Sequence, residues 1–390
     1  MSQHQPPTTP PARRWALRLV AAAFGISLAL ALIAVLVSVL PRAPGGPVRF
    51  TVGMGDLFAY RPNQIAPPAD PNRLLSDHWL GWDSDGFRLP AKPAARYDVI
   101  ALGDSFTEAP NAARPWPDVL AAESGLAVYN MGYRGFGPDE SLRVLQEYGP
   151  KHAPKLVILG YYEGNDLNDA VSVRWREQPY VRPADARQTL TPFAPPTPAP
   201  PPPGGNYPYP ITLELNGQRH EVAFLDAYLS ILNGALEAYS QSANLAAVEG
   251  YFKAMKAVLP GACFVVAYFP TAPHIYARHV IPEHRGRVLA SIEEMYLTAP
   301  NSYLLSRPNT LSYDEVLARI DNQRTATTAV LARLGIPMID LTPAFQAAAM
   351  QGQYVWYAYD THWSDAGHQV AGAGIASWLR ANPAPCGNGN

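Results

Sequence analysis

Cysteine is nearly absent from this chain: two stand in 390 residues, Cys263 within an apolar run and Cys386 near the C-terminus. A disulfide between them is open to an exported protein, but the pattern favours one buried apolar thiol and one tail cysteine. Charge is also scarce, at 16% of residues with a net of −2, and no run of like charge occurs. Without a basic field there is nothing to attract a polyphosphate, so no nucleic-acid partner is expected. The chain has no Gly-Lys-Ser/Thr phosphate loop, and Gly132, Gly135 and Gly137 have the wrong spacing for a dinucleotide fingerprint. Gly-x-Ser-x-Gly is missing too, since Thr107 stands where its second glycine would follow Ser105, which disfavours an α/β-hydrolase elbow.

What the chain does have begins with a stretch free of charge. Residues 19–40 form a 22-residue run interrupted only by Gly25, Ser27 and Ser38. At about 1.5 Å per residue a helix of that length crosses the roughly 30 Å core of a bilayer. It is longer than the apolar part of a cleaved signal, about 7–15 residues, and more uniformly apolar than an ordinary core helix. Arg13, Arg14 and Arg18 precede the run and only Arg42 follows closely, so residues 1–18 are expected in the cytoplasm and the rest outside. No cysteine follows the run to suggest a lipoprotein anchor.

Residues 41–96 make a lead-in rich in proline and glycine that contains Asp85-Gly86-Phe87-Arg88. Five short apolar runs then read as buried strands, at 97–102, 127–130, 155–160, 263–269 and 337–341, with helical periodicity between them. That alternation predicts a five-stranded parallel sheet covered by helices on both faces. The domain is expected over 97–382, with insertions near 171–222 and 274–333. The first carries the proline-rich stretch 193–210, too rich in proline for helix or sheet and read as a passive surface segment. The second reads as a helical cap over part of a cleft. Its His274, His279 and His284 recur every five residues, which does not stack ligands on one helical face, so no metal site is expected there.

Four segments can supply the parts of a nucleophilic site. Gly103-Asp104-Ser105 ends the first strand, where a following helix would offer free backbone N–H groups. After the second strand comes Asn130-Met131-Gly132-Tyr133-Arg134-Gly135-Phe136-Gly137, a tight glycine turn. Glu163-Gly164-Asn165-Asp166 follows the third strand, and the Asn165 amide can donate to an oxyanion or cap a turn. Near the C-terminus stands Asp360-Thr361-His362-Trp363. If that segment is extended, Asp360 and His362 project to one side and can act as orienting acid and base. Asp340, closing the fifth strand, is the rival orienting group; its bland role is to cap the turn at Leu341-Thr342-Pro343.

In this order the four segments resemble the SGNH/GDSL hydrolase family, over roughly 97–380 and including Gly367, five residues after His362. The resemblance implies a three-layer α/β/α sandwich of flavodoxin-like type and cofactor-free hydrolysis of carboxylic esters. It implies a Ser105, His362, Asp360 triad, an oxyanion hole from the Ser105 and Gly135 N–H groups and the Asn165 side chain, and Asp104, Gly164 and Asp166 in support. Many members place the aspartate three residues before the histidine, whereas here it lies two before. The Asp-x-His-Trp form is similar to the branch that contains the alginate O-acetyltransferases. The expected activity is therefore an esterase acting on an extracytoplasmic glycan or lipid. The first alternative is acyl transfer to a cell-surface polysaccharide, and the second is an inactive glycan-binding module.

Overall fold

The structure is a computed structural model and describes residues 47–52, 55–60, 83, 85, 87–110, 112–171, 210–224, 229, 234–298 and 311–387. The uncharged run at 19–40 and most of the proline-rich stretch lie outside them. Among the described residues no helix is long and apolar enough to cross a membrane. The described residues all belong to one compact unit.

An antiparallel hairpin, β1 (Pro47–Val52) and β2 (Gly55–Tyr60), comes first. The five expected strands follow as β3 (Val99–Leu102), β4 (Val128–Asn130), β5 (Leu156–Tyr162), β8 (Cys263–Phe269) and β9 (Met338–Asp340), all parallel in the order β4-β3-β5-β8-β9. Between β5 and β8 the chain adds a second hairpin, β6 (Ile211–Leu215) with β7 (Gln218–Val222). Parallel strands need both faces covered, and the side chains divide accordingly. Val99, Ala101, Ile158, Val265, Ala267 and Ile339 point to one face. There they meet α2 (Trp116–Ser124), α11 (Thr342–Met350) and α12 (Asp365–Ala381). Ile100, Leu102, Val157, Leu159, Val266 and Tyr268 point to the other. That face meets α3 (Pro138–His152), α6 (Ala243–Val258) and α10 (Asn322–Leu334). The result is the expected three-layer sandwich, and its strand order reverses between β3 and β5.

Two expectations change. Residues 322–334 do not cap a cleft: α10 buries Ala326, Val330 and Leu331 in the same core as α6. It is the crossover helix that any parallel β8–β9 connection requires. Cys263 and Cys386 are bonded to each other, not separate thiols, with Cα atoms 5.6 Å apart. The tail makes this happen by folding back across the start of β5 and β8, where Pro383, Pro385 and Leu379 line a cavity of about 230 Å³ with Leu126, Leu156 and Cys263. An end-of-chain cysteine gives no sign of such a return in the sequence.

Candidate active site

The switch in strand order leaves a crevice beyond the carboxyl ends of β3 and β5, the place where open parallel sheets bind ligands. Three of the four sequence segments leave the sheet there. The first is built around a turn only glycine can enter: Gly103 has φ +140°, and a Cβ on it would lie 2.5 Å from Thr107 Oγ1 and 2.8 Å from the Gly160 carbonyl. Asp104 then caps the one-turn helix α1 (Ser105–Glu108), its carboxylate accepting the Phe106 N–H at 2.8 Å. This leaves the partly exposed Ser105 at the first helical position. Asn130 ties the glycine turn to that helix, since its amide donates to the Thr107 carbonyl at 2.7 Å and its oxygen accepts the Gly132 N–H at 2.9 Å. In that turn Gly135 takes φ +80°. Neither the Ser105 nor the Gly135 N–H donates to another described residue.

Asn165 ends β5's loop at the head of α4 (Asp166–Asp169). Its amide donates to Asp169 Oδ2 at 2.7 Å. A carboxylate can only accept, so the NH2 must face Asp169 and one N–H remains for another acceptor. Gly164 has no alternative, because a Cβ there would meet the Tyr162 ring at 2.3 Å. Asp166 binds the Tyr162 N–H at 2.8 Å and is fully enclosed beneath the loop. Burial raises the Asp104 and Asp166 carboxyls well above the carboxylate range, and the charge of Asp104 lifts Asp166 further.

The C-terminal segment brings an imidazole to Ser105. His362 Nε2 lies 2.9 Å from Ser105 Oγ, and its Nδ1 lies 2.6 Å from Asp360 Oδ1. The local geometry differs from the extended segment expected. Residues 360–362 form a bend in which the same Asp360 oxygen also accepts the His362 backbone N–H at 3.0 Å. A two-residue spacing suits this side-chain-to-backbone turn, which holds acid and imidazole together without a strand. Burial alone would lower the His362 imidazole, but the Asp360 charge and hydrogen bond, with Asp104 behind them, hold it above its ordinary value. Burial would likewise raise Asp360, yet His362 and two backbone N–H groups hold it low. Together these groups can remove a proton from Ser105 and stabilise the imidazolium that results.

Several nearby residues have no such place. Asp340 Oδ1 accepts the Thr342 N–H at 2.9 Å and its other oxygen binds Arg324, so it caps the turn and does not reach His362. Trp363 is wholly buried against Phe106, Phe269 and Phe345. His274 is in the core, His284 accepts the Thr212 N–H at 2.9 Å, and His279 pairs with the Glu214 backbone, so the three histidines go separate ways.

Other residues at the site carried no usable signal. Buried Arg88 reaches from the lead-in to donate to the carbonyls of Glu108, Ala109 and Ala112, fixing the exit of α1. Glu108, buried below, binds the Arg134 guanidinium and its N–H, anchoring the glycine turn beside Gly135. Asp169 was equally silent, as an aspartate four residues after an asparagine is ordinary in a helix.

Comparison with known proteins places the chain at the level of family. The model of the GDSL-like Lipase/Acylhydrolase family matches residues 101–370. Among curated proteins there is no match. Solved structures similar to the chain include phospholipase A1 from Streptomyces albidoflavus NA297, at 15% identity and a TM-score of 0.38, covering 74% of this chain and 99% of that one. An extracellular lipase from Streptomyces rimosus is 14% identical with a TM-score of 0.38, covering 72% and 99%. A carbohydrate esterase family 2 enzyme with a carbohydrate-binding domain, from Corynascus thermopiles (Myceliophthora fergusii), is 14% identical with a TM-score of 0.37, covering 87% of each chain. Likenesses this distant add nothing on substrate. The family match spans well over half of the chain, which therefore belongs to the GDSL-like lipase/acylhydrolase family, hydrolases of ester bonds.

Proposed function

We propose that the chain cleaves a carboxylic ester through an acyl-enzyme on Ser105. The observation that carries this reading is the continuous chain of contacts from Ser105 Oγ to His362 Nε2, at 2.9 Å, and from His362 Nδ1 to Asp360, at 2.6 Å. Ser105 Oγ attacks the ester carbonyl as His362 takes its proton, and Asp360 holds the imidazole and its new charge. The oxyanion accepts from the Ser105 and Gly135 N–H groups and from the second N–H of Asn165. His362 returns the proton to the leaving alcohol. It then activates a water that releases the acid and restores Ser105. No cofactor enters any step.

An extracytoplasmic ester of a glycan or lipid is the substrate class we favour, reached by a domain that residues 19–40 anchor in the membrane. The uncharged run supports this placement, and so does the Cys263–Cys386 bond, which belongs to an oxidising compartment. Acyl transfer to a polysaccharide uses the same acyl-enzyme with a sugar hydroxyl in place of water. The Asp-x-His-Trp pattern favours that variant only weakly, because Trp363 is core and offers no face to a sugar.

The test is turnover of p-nitrophenyl esters of varied chain length by residues 41–390 and by Ser105→Ala, with and without oligosaccharide acceptors. We expect wild-type cleavage and a loss of several orders of magnitude in the variant. Undiminished turnover by a folded Ser105→Ala protein refutes the reading. An acyl-oligosaccharide product in place of free acid would make the enzyme a transferase.

A further inference from the structure

We propose that Glu163, held by His274, which Asp321 holds in turn, is a positioning residue that sets the Asn165 amide for the oxyanion; this rests on the esterase reading above. Glu163 is the first residue beyond β5 and stands two before Asn165. It is wholly buried, and its carboxylate collects four donors: Tyr268 Oη at 2.6 Å, the Thr271 N–H at 2.9 Å, Thr271 Oγ1 at 3.0 Å and His274 Nδ1 at 2.7 Å. Its backbone is fixed as firmly. The N–H donates to the Phe269 carbonyl at 3.0 Å, and the carbonyl accepts from the buried Gln323 amide at 2.9 Å.

The cluster continues outward. His274 Nε2 meets Asp321 Oδ1 at 3.0 Å, and the half-exposed Asp321 is bound in turn by Arg324 at 2.8 Å and approached by Arg278 at 3.4 Å. Burial alone would lower the His274 imidazole, but Glu163 and Asp321 raise it to about 9, so it carries charge at neutral pH. An ionised group this deep is no better for stability than well-packed apolar residues would be. What the arrangement does supply is rigidity at one point. Residues from β8, α7 (Ala272–Tyr276) and the start of α10 all converge on the residue from which the Asn165 loop departs. Among the described residues no triad residue hydrogen-bonds to this cluster, and the loop it anchors leads within two residues to Asn165. Tyr162, on the other side of Glu163, instead stacks on Phe106 and meets Thr361 at 3.1 Å, a second path that the Asn165→Ala background below separates from the first. A donor that must meet an oxyanion has little tolerance in position, and a displacement of about 1 Å can cost roughly 10²-fold in rate.

The experiment is a double-mutant cycle on p-nitrophenyl ester turnover with Glu163→Gln, Asn165→Ala and the pair, each checked for native circular dichroism. In the wild-type background Glu163→Gln should lower kcat by about tenfold or more with KM little changed. In the Asn165→Ala background it should lower kcat no further, because the group it positions is gone. Equal losses in both backgrounds, a change confined to KM, or unchanged kcat would each overturn the proposal. If Glu163→Gln does not fold, Asp321→Ala at the half-exposed end is read in the same cycle: a kcat loss that vanishes without Asn165 supports the proposal, and its absence overturns it. Failure of the esterase reading is seen separately, as activity that survives Ser105→Ala.

Discussion

Asp360 holds His362 twice with one oxygen, which accepts the ring Nδ1 at 2.6 Å and the backbone N–H at 3.0 Å. The first contact fixes the tautomer and the second fixes where the ring hangs from the chain. Asp360→Asn keeps an acceptor for the backbone but cannot stabilise an imidazolium. Turnover of a p-nitrophenyl ester should fall by up to about 10⁴-fold. Asp340→Asn, which disturbs only the cap at Thr342 and the Arg324 pair, should retain nearly full kcat. A crippled Asp340→Asn beside a normal Asp360→Asn would reassign the orienting role.

Asn165 and Asp169 give a graded pair. Asn165→Ala removes the donor and should lower kcat by roughly 10²–10³ with KM little changed. Asp169→Ala leaves the donor but frees it to rotate, so a smaller fall in kcat is expected. Steady-state kinetics on both variants would test this; a loss in KM alone would make Asn165 a substrate-binding residue.

The acidic limb of activity should lie above the ordinary histidine value. His362 must be neutral to accept the Ser105 proton, and Asp360 and Asp104 raise its pKa above the usual value of about 6.5. Activity therefore appears only as pH rises through that raised value. Asp104→Asn removes one source of the rise and should move the limb of kcat/KM to lower pH. An unmoved limb would show that Asp104 does not act on His362.

Asp166 gives a stability prediction with a definite sign. In the unfolded chain it ionises near 3.9, whereas burial and Asp104 raise it well above that in the fold. The folded state thus binds the extra proton, and stability falls as pH rises from about 4 towards the raised value. Asp166→Asn can still accept the Tyr162 N–H and needs no proton. Its Tm relative to the parent should rise between pH 4 and pH 8, and a constant difference across that range would contradict the assignment.

Reducing the Cys263–Cys386 bond should cost stability without costing chemistry. The bond closes a loop of 123 residues, and such a link is worth about 2–4 kcal/mol. It also sits where β8 begins, at the opposite edge of the sheet from Ser105. Cys386→Ser should lower the denaturation midpoint while leaving kcat within about twofold of the parent.

The sequence determined the sheet, because a strand buried on both faces must be a short continuous apolar run, and all five such runs became parallel strands. It also marked the residues at strand ends where backbone geometry admits few alternatives: Gly103 and Gly164 have no room for a Cβ, so their blocks were legible as motifs. Contacts between distant segments were not legible. Arg88 gripping the carbonyls after α1, Glu108 holding Arg134, Glu163 enclosed by His274 and Cys386 returning to Cys263 each join residues about 20 or more positions apart. Each of these residues is locally ordinary, since nothing in its neighbours distinguishes an arginine on the surface from one buried among carbonyls. Burial supplies that distinction, and only the packed layers decide which polar side chains leave water and which partners meet them there.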